Sequence, residues 1–328
     1  MVRHVHRRLG AAVVAAVLVA GIGPAFAQPA SYPTKPIQLV IPYPPGGSDA
    51  LGRKVAATMA KQMGQEIVVV NVPGASTQVA TRKVSESAPD GYTLYVSSPF
   101  ELATGNTFYS NLPFDPQKDL TLISFYARLP YMLLVSSSLP VKNLQEFIAY
   151  AKAHPKEVKL GSYGALSQVD VIARRFRKLI GVDIPIIPYN GGAPAFNALL
   201  AGEIQGVFAT PIPTRPFIAE GKMVPLAVTT ATRSKRFPNV PTLKESGIDL
   251  VDEASYGLAG PKGLPPQVVA YLHKELTTAL KDPATLTFLE DAGVEVVAST
   301  PAEYQKWLQD NTKMWQELTP VLGIEKAK

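Results

Sequence analysis

Short apolar runs alternate with segments of helical pattern along most of this chain. The first runs are Ile37–Pro42, Ile67–Asn71 and Thr93–Ser97, and the second is almost entirely β-branched, as is typical of a strand buried on both faces. Helical segments lie between them, beginning near Ser48 and after a Pro-Gly break at residues 73–74. Strands that alternate with helices are characteristic of βαβ units, so the pattern predicts an α/β fold with mostly parallel sheets.

A second series of the same kind begins near residue 121. Its predicted strands are Leu122–Tyr126, Met132–Ser136, Lys159–Ser162, Ile184–Pro188, Ile204–Phe208 and Val224–Thr230. Its predicted helices are Asn143–His154, Ser167–Ile180, Ala193–Ala201, Pro265–Leu280 and Pro301–Leu318. A proline-rich turn is expected after residue 208, and the strand at 224–230 is a candidate to return the chain to the first sheet.

The two series predict two lobes, each a mostly parallel sheet flanked by helices. We assign residues 28–127 and about 228–300 to lobe 1, residues 128–227 to lobe 2, and residues 301–328 to a C-terminal helix that packs back across the lobes. A chain that crosses more than once between two α/β lobes is typical of a hinge-bending binding protein. Because open α/β sheets bind ligands outside the carboxyl ends of their strands, we expect the ligand in the cleft between the lobes.

The first 27 residues have the pattern of a secretory signal. Three arginines precede the apolar run Leu9–Gly23, and Ala25-Phe26-Ala27 offers a cleavage site before Gln28. This run of 15 residues is short for a membrane span, which needs about 20. We therefore expect an exported, periplasmic protein; the alternative is a retained N-terminal anchor.

Composition excludes several classes of function. The chain has 328 residues, no cysteine and a formal net charge of +6, half of which comes from the three leader arginines. Without cysteine there are no disulfides, thiolate metal sites or cysteine nucleophiles. We find no basic cluster with interleaved aromatic residues, so nucleic-acid binding is not expected. No metal site or cofactor is expected either.

Catalytic motifs are also missing from the sequence. There is no G-x-S-x-G elbow or H-E-x-x-H pattern, and after the leader only His154 and His273 remain as histidines. The pair Asp252-Glu253 could bind a cation or lie in a solvated loop. We therefore expect no enzymatic activity, and an exported hydrolase on an α/β scaffold is the less favoured alternative.

Five loops that are rich in glycine and hydroxyl residues each follow a predicted strand and precede a helix. They lie at residues 44–49, 73–77, 97–98, 161–167 and 189–194. Small residues let a ligand approach backbone N–H groups, and helix N-termini favour anions. Converging N–H and O–H donors of this kind would form a receptor for carboxylate oxygens.

Several motifs, in this order, resemble the Bug family of periplasmic receptors for tripartite tricarboxylate transporters. They are Tyr-Pro-Pro-Gly-Gly-Ser-Asp (43–49), Asn-Val-Pro-Gly-Ala (71–75), Ala-Pro-Asp-Gly-Tyr-Thr-Leu (88–94), Pro-Tyr-Asn-Gly-Gly-Ala-Pro (188–194) and Arg-Phe-Pro-Asn-Val-Pro-Thr (236–242). The resemblance covers about residues 32–325. It implies a Venus-flytrap fold that captures a small carboxylate and delivers it to membrane permease subunits. We expect a monomer.

The resemblance also implies a set of ligand-binding residues, held largely through backbone amides and ordered water. Carried over by position, these are Tyr43, Pro45, Gly46, Gly47, Ser48, Asp49, Ser76, Thr77, Ser97, Ser98, Ser167, Gln168, Asn190, Gly191, Gly192 and Ala193. Aromatic side chains near the strand ends could wall an aromatic ligand or serve as ordinary packing; these are Phe100, Tyr126, Tyr131 and Tyr163.

Departures from the family pattern bear on the ligand. The family commonly carries Gly-Gly where this chain has Ser76-Thr77, so these side chains could reach the ligand directly. A usual Phe-Asp-Asn is replaced so that Ala209 and Thr210 follow the phenylalanine, and Gln205 stands where an aspartate is usual. Loss of an acid that could pair with a ligand ammonium favours dicarboxylates, aromatic ones included, over amino acids. A sensor that docks to a signalling partner remains an alternative to transport.

Overall fold

Two sheets divide the computed structural model, which describes residues 32–327, so the predicted leader lies outside the described residues. The first sheet has the order β11-β4-β10-β3-β1-β2, and the second has the order β7-β6-β8-β5-β9. The strands are β1 (Ile37–Ile41), β2 (Ile67–Asn71), β3 (Thr93–Ser97), β4 (Leu120–Pro130), β5 (Met132–Ser136), β6 (Leu160–Ser162), β7 (Ile186–Pro188), β8 (Gly206–Ala209), β9 (Met223–Val228), β10 (Glu253–Pro261) and β11 (Glu295–Val296).

Helices flank both sheets. They are α1 (Gly47–Met63), α2 (Gln78–Ser85), α3 (Pro99–Phe108), α4 (Leu144–Ala153), α5 (Gln168–Ile180), α6 (Gly192–Leu200), α7 (Pro211–Ala219), α8 (Pro266–Ala279), α9 (Pro283–Asp291) and α10 (Pro301–Val321). Among residues 32–327, no helix is long and apolar enough to cross a membrane.

The sheets are mixed rather than mostly parallel. In each sheet a parallel trio comes from βαβ units: β2-β1-β3 in the first and β7-β6-β8 in the second. Antiparallel strands extend each trio, with β10, β4 and β11 in the first sheet and β5 and β9 in the second. The alternating pattern predicted the strands of the parallel trios. The antiparallel strands were not expected, and they make both sheets mixed instead of mostly parallel.

Alternate side chains of the first strand enter two different cores. Leu39 and Ile41 are buried in the core that α1 and α8 cover, while Val40 lies in the core that α2 and α10 cover. Successive strand side chains point to opposite faces, so an uninterrupted apolar run places helices on both faces of the sheet.

The chain passes between the sheets at two adjacent crossovers. Tyr131 joins β4 to β5, and the return runs from Thr229 to Asp252 before β10. The crossovers are bonded to each other, because the Thr229 N–H donates to the Tyr131 carbonyl oxygen at 2.9 Å and the Asp252 N–H donates to the Thr229 carbonyl oxygen at 3.0 Å. The first sheet therefore extends past residue 127, to Pro130.

Two further expectations about elements are corrected. The strand at 224–230 pairs as β9 with β5, so it stays in the second sheet and β10 makes the return. The proline-rich turn after residue 208 is the helix α7, because prolines in the first turn lack only N–H groups that would have no intrahelical partner. Helices α3 and α9 and strands β10 and β11 were not predicted.

The C-terminal helix α10 packs on α3 and β4 of lobe 1. It also touches α5 of lobe 2, since the guanidinium of Arg175 lies 5.8 Å from the ring centroid of Trp315. Lys178 Nζ donates to the carbonyl oxygen of Val321 at the end of the helix. Helix α10 thus makes contacts on both sides of the cleft.

Candidate functional site

Loops from the two lobes meet at the predicted cleft. Ser76 Oγ, in the loop between β2 and α2, donates to the carbonyl oxygen of Ala165 in the loop between β6 and α5, at 3.2 Å. Across the same cleft, a Cβ placed on Gly191 would lie 3.8 Å from Cγ of Pro44. The loops after β1 and β2 therefore face the loops after β7 and β6, as expected for a site at the carboxyl ends of the strands.

The loop after β1 is fixed by the side chain of Asp49, which is 2% exposed. Its Oδ2 accepts from Arg53 Nε at 2.6 Å, and its Oδ1 accepts from Asn71 Nδ2 at 2.7 Å. Asn71 Nδ2 also donates to the carbonyl oxygen of Tyr43 at 2.7 Å. Asp49 was predicted as a ligand-binding residue, and its carboxylate oxygens bind Arg53 and Asn71, which shapes the loop of Tyr43, Pro45 and Gly46 before α1 begins at Gly47 and Ser48.

The loop after β2 holds three consecutive residues in the left-handed region. Ala75, Ser76 and Thr77 have φ values of 43°, 45° and 72°, a conformation that costs non-glycine residues energy and is concentrated at functional sites. Thr77 is 5% exposed, and its Oγ1 has no hydrogen-bond partner among residues 32–327. Gln78 Oε1 is likewise buried without a partner within that range.

The N-terminus of α5 is capped by Ser167, whose Oγ accepts from the N–H of Asp170 at 3.2 Å. The Gln168 side chain, which we expected to contact ligand, is bonded to both crossovers instead. Its Oε1 accepts from Tyr131 OH at 3.0 Å, and its Nε2 donates to Asp252 Oδ1 at 2.6 Å. The side-chain amide of Gln168 therefore joins helix α5 of lobe 2 to the two crossovers, which form the hinge between the lobes. Only the backbone N–H of Gln168 is left to face a ligand at the start of α5.

Glu101, which the sequence analysis missed, lies in the first turn of α3 and is 8% exposed. Ser98 Oγ donates to its Oε2. Burial raises the pKa of the Glu101 carboxyl to about 8, while its own N–H and the backbone N–H of Gln168 act in the opposite direction. The S-x-x-E spacing of Ser98 and Glu101 is that of a capping box, and this signal could have revealed both α3 and its buried acid.

Tyrosine side chains lie in the loops after β1 and β6, at Tyr43 and Tyr163. Tyr43 and Tyr256 meet edge to face with centroids 6.2 Å apart. Tyr163 packs edge to face on Phe196 at 6.0 Å, and its buried hydroxyl has no partner among residues 32–327, nor does the Ser162 hydroxyl beside it. Burial raises the pKa of Tyr43, Tyr131 and Tyr163, so these three phenols are neutral.

Two predicted site residues point away from the cleft. Phe100 packs on Trp315 with centroids 5.1 Å apart, because it lies on the face of α3 that α10 covers. Ser97 Oγ is hydrogen bonded to Tyr304 OH of α10 at 2.9 Å. Both side chains hold the C-terminal helix rather than face lobe 2.

The remaining predicted residues lie at the helix starts of lobe 2. Gly191 is the N-cap of α6, with Gly192 and Ala193 in its first turn and the exposed Asn190 before it. Thr210 is the N-cap of α7 and is 5% exposed. Gln205 lies at the opposite end of β8, where its Oε1 accepts from the N–H of Lys159 at 2.9 Å, so it is not a cleft residue.

A match to a known family identifies the class of protein to which this chain belongs. A model described as the tripartite tricarboxylate transporter family receptor matches residues 51–324, which is most of the chain. The protein is a member of this receptor family. The fold, with its two lobes and its cleft between strand ends, is that of a periplasmic binding protein, and its family consists of solute-binding proteins rather than enzymes.

Relatives of this receptor match over nearly the full chain. A Cupriavidus necator protein, named for its position in the gbd 5' region, is 35% identical over 328 residues, which are 99% of both chains. Protein BugT of Bordetella pertussis is 33% identical over 302 residues, with 90% of this chain and 91% of BugT covered.

Solved structures of similar proteins contain carboxylates. Rpa4515 of R. palustris with adipate has 29% identity and a TM-score of 0.86, covering 90% of this chain and all of that one. MatC of Rhodopseudomonas palustris with bound malate has 28% identity and a TM-score of 0.81, covering 88% of this chain and 99% of that one.

Asp252, one of the two neighbouring acids Asp252-Glu253, has a structural role in this receptor. Arg175 NH1 donates to Asp252 Oδ2 at 2.8 Å, and the two side chains are 17% and 8% exposed. Asp252 is therefore neither a cation ligand nor part of a solvated loop. No group of three metal-binding side chains occurs among residues 32–327.

The receptor also has a groove away from these loops. It has a volume of about 390 Å³ and lies between α7 and α9, which belong to different lobes. Arg215 crosses this boundary, since its NH1 donates to the carbonyl oxygen of Asp291 at 3.1 Å. This groove contains none of the predicted site residues.

Proposed function

We propose that this receptor captures a small carboxylate in its interlobe cleft, in the periplasm, and delivers it as a monomer to the membrane permease subunits of a tripartite transporter. The observation that carries the proposal is the meeting of helix N-termini from both lobes at one place. Helices α1 and α2 begin beside the cleft from lobe 1, and α5 and α6 begin beside it from lobe 2. Such termini present free N–H groups and a positive end of the helix dipole to an anion.

Within carboxylates, we propose that dicarboxylates, including aromatic ones, bind ahead of amino acids. Two relatives are solved with the dicarboxylates adipate and malate. At the carboxyl end of β8, Ala209 offers no charge to pair with a ligand ammonium, and burying an unpaired ammonium is costly. Hydroxyls of Ser76, Thr77 and Thr210 could each contribute about 1.5–3 kcal/mol to a second carboxylate.

A competition experiment tests the ligand class. Purified mature protein is titrated by calorimetry with succinate, adipate, citrate, phthalate and benzoate, and with aspartate and glutamate at equal concentrations. We expect one or more plain acids to bind, and a bound ligand to raise the thermal midpoint by mass action. Tight, stoichiometric binding of aspartate or glutamate, with no response to the plain acids, would refute the proposed ligand class.

An uptake assay distinguishes a role in transport from a role in signalling. Cells that lack this receptor should lose uptake of the radiolabelled ligand and regain it when the wild-type chain is supplied. Unchanged uptake, together with a lost transcriptional response to the ligand, would favour the sensor function.

A further inference from the structure

The last residue of helix α9 accepts hydrogen bonds from two arginines of the other lobe. The carbonyl oxygen of Asp291 accepts from Arg215 NH1 at 3.1 Å and from Arg236 Nε at 3.3 Å. The final carbonyl oxygens of a helix have no intrahelical donor, and they carry the negative end of the helix dipole. Cations are therefore favoured at this position, and the carboxylate of Asp291 itself adds negative charge there.

The acceptor belongs to lobe 1. Leu289, near the end of α9, is buried in the core that α1 and α8 cover. Near the start of the helix, the hydroxyl of Thr285 is hydrogen bonded to that of Thr58 in α1 at 2.8 Å. Strand β11 follows α9 and pairs with β4 in the first sheet. Helix α9 is thus fixed to lobe 1 at both of its ends.

The two donors belong to lobe 2. Arg215 lies in α7, which packs on β9 of the second sheet. Arg236 lies in the returning crossover, where its neighbour Phe237 packs on the apolar core of lobe 2. The turn after α9 comes close to this segment, because a Cβ placed on Gly293 would lie 3.6 Å from Cβ of Arg236. The arginines therefore reach across the boundary between the lobes.

A contact of the same kind lies on the opposite face of the first sheet. Lys178 Nζ, in α5 of lobe 2, donates to the carbonyl oxygen of Val321, the last residue of α10. Helix α10 covers the core that contains Val40, whereas α9 contributes to the core that contains Leu39. Cations of lobe 2 thus meet helix C-termini of lobe 1 on both faces of the sheet.

We propose that Arg215 and Arg236 form a latch on the C-terminus of α9, which holds the lobes together and lets the receptor populate the closed arrangement before a ligand binds. Opening of the cleft moves the two donors away from Asp291 and returns them to water. A ligand that needs the closed arrangement binds with an apparent affinity proportional to the closed fraction, so the latch aids capture without touching the ligand. This inference uses the two lobes and the hinge, and it does not depend on which ligand the cleft takes.

Cross-linking measures the closed fraction without a ligand. Because the chain has no cysteine, Ser76→Cys and Ala165→Cys supply its only two thiols. They lie on loops that meet across the cleft, where Ser76 Oγ is 3.2 Å from the carbonyl oxygen of Ala165. The mature protein is freed of co-purified ligand by unfolding and refolding, and is then treated with a short bismaleimide, which joins the thiols only while the lobes are together. Mass spectrometry gives the yield of cross-link relative to protein that is modified separately at both thiols.

Substitution of both arginines should lower this yield. For Arg215→Met with Arg236→Met we expect a roughly three- to tenfold fall relative to the same cysteine pair with both arginines, because two cation–helix contacts are lost. The matched control is Arg233→Met with Lys222→Met, which removes two cations whose ion pairs do not involve lobe 1, and its yield should stay within about twofold. Raising sodium chloride from about 20 mM to about 500 mM should lower the yield of the protein with both arginines and change that of the double-methionine variant less.

Both arginines are exposed, so the variants are expected to fold, and circular dichroism checks that they do. Equal yields in the double-methionine variant and its control would overturn the proposal. Absence of any cross-link in the protein with both arginines would also overturn it, because the closed arrangement would then not be populated without ligand. No carboxylate enters this assay, so its failure is distinct from failure of the carboxylate panel.

Discussion

At the scale of single residues, the cleft depends on backbone conformations that few side chains tolerate. Gly191 has φ +96° and lies opposite Pro44, and Gly46 has φ +119° at the start of α1. In the loop after β2, residues 75–77 also have positive φ values although none of them is glycine. Such strain persists only where the surroundings enforce it, and it shapes the loops that would surround a ligand.

Adding a side chain at Gly191 should block the ligand while the fold survives. Gly191→Val places methyl groups toward Pro44 across the cleft, and we expect ligand affinity to fall by roughly tenfold or more, about 1.4 kcal/mol. The matched control is Gly221→Val, which has a similar backbone requirement at φ +68° but no heavy atom within 4 Å of its Cβ. Calorimetry that finds equal affinity in the two variants would exclude the Gly191 loop from the site.

The Glu101 carboxyl should make stability depend on pH. Its pKa is about 8 in the folded protein against an ordinary value of 4.5, so between these values the folded state holds a proton that the unfolded state lacks. Stability from this group is therefore present at low pH and lost as pH rises toward 8. The titratable groups that interact with Glu101 are Asp252 and the phenols of Tyr43, Tyr95, Tyr109 and Tyr131. A substitution of Glu101 alone leaves all of these groups in place.

Glu101→Gln isolates this contribution. Urea unfolding of wild type and E101Q is measured at about pH 5.5 and about pH 8.5, and wild type should lose more stability between them than the variant does. Parallel losses in the two proteins would mean that Glu101 titrates near its ordinary pKa.

At the scale of elements, helix α5 connects lobe 2 to the hinge and to the C-terminal helix. Its first residue, Gln168, bonds both crossovers, and two turns of helix later Arg175 pairs with Asp252 and lies on Trp315. The amphipathic pattern of residues 167–180 predicted this helix, but the partners of its polar residues come from distant parts of the chain.

Removing Arg175 should be costly, because it leaves a buried carboxylate unpaired. For Arg175→Met we expect the free energy of unfolding to fall by about 3 kcal/mol, measured by urea denaturation. The control Arg177→Met, on the same helix, loses a pair whose acid, Asp183, is 97% exposed, and it should cost much less. A loss of similar size in both variants would contradict a specific role for the Arg175–Asp252 pair.

The elements that sequence could predict are those with local signals. Strands β1, β2 and β3 and helices α5 and α8 follow from apolar period, caps and prolines. Helix α7 was missed because its prolines suggested a turn, although Pro211 and Pro213 occupy its first turn. The polar roles of Asp49 and Gln168 could not be predicted, since their partners depend on which loops the fold brings together.

At the scale of the whole molecule, two sheets share two crossovers and a helix that touches both lobes. The order of the glycine-rich loops predicted the location of the cleft. The boundary between lobes was harder to place, because β4 runs from residue 120 to residue 130 without a break at the expected position. Strands β4 and β5 have the same kind of apolar pattern although they belong to different sheets. The sequence pattern therefore does not mark where one lobe ends and the next begins.

The predicted leader is tested on the whole protein. Expressed with its native N-terminus in a Gram-negative host, the mature chain should be recovered from the periplasm beginning at Gln28, because Ala25-Phe26-Ala27 offers the cleavage site. Recovery from the membrane fraction with Met1 intact would instead favour a retained anchor.

The two tryptophans of the chain, Trp307 and Trp315, both belong to α10. The indole of Trp315 is packed on Phe100 in lobe 1, while the guanidinium above it is carried by lobe 2. Any opening of the hinge that moves α5 away from α10 must change the electrostatic field at that indole. Trp315, the one tryptophan left in Trp307→Phe, should therefore change its emission when the lobes open, so hinge motion can be followed without a label.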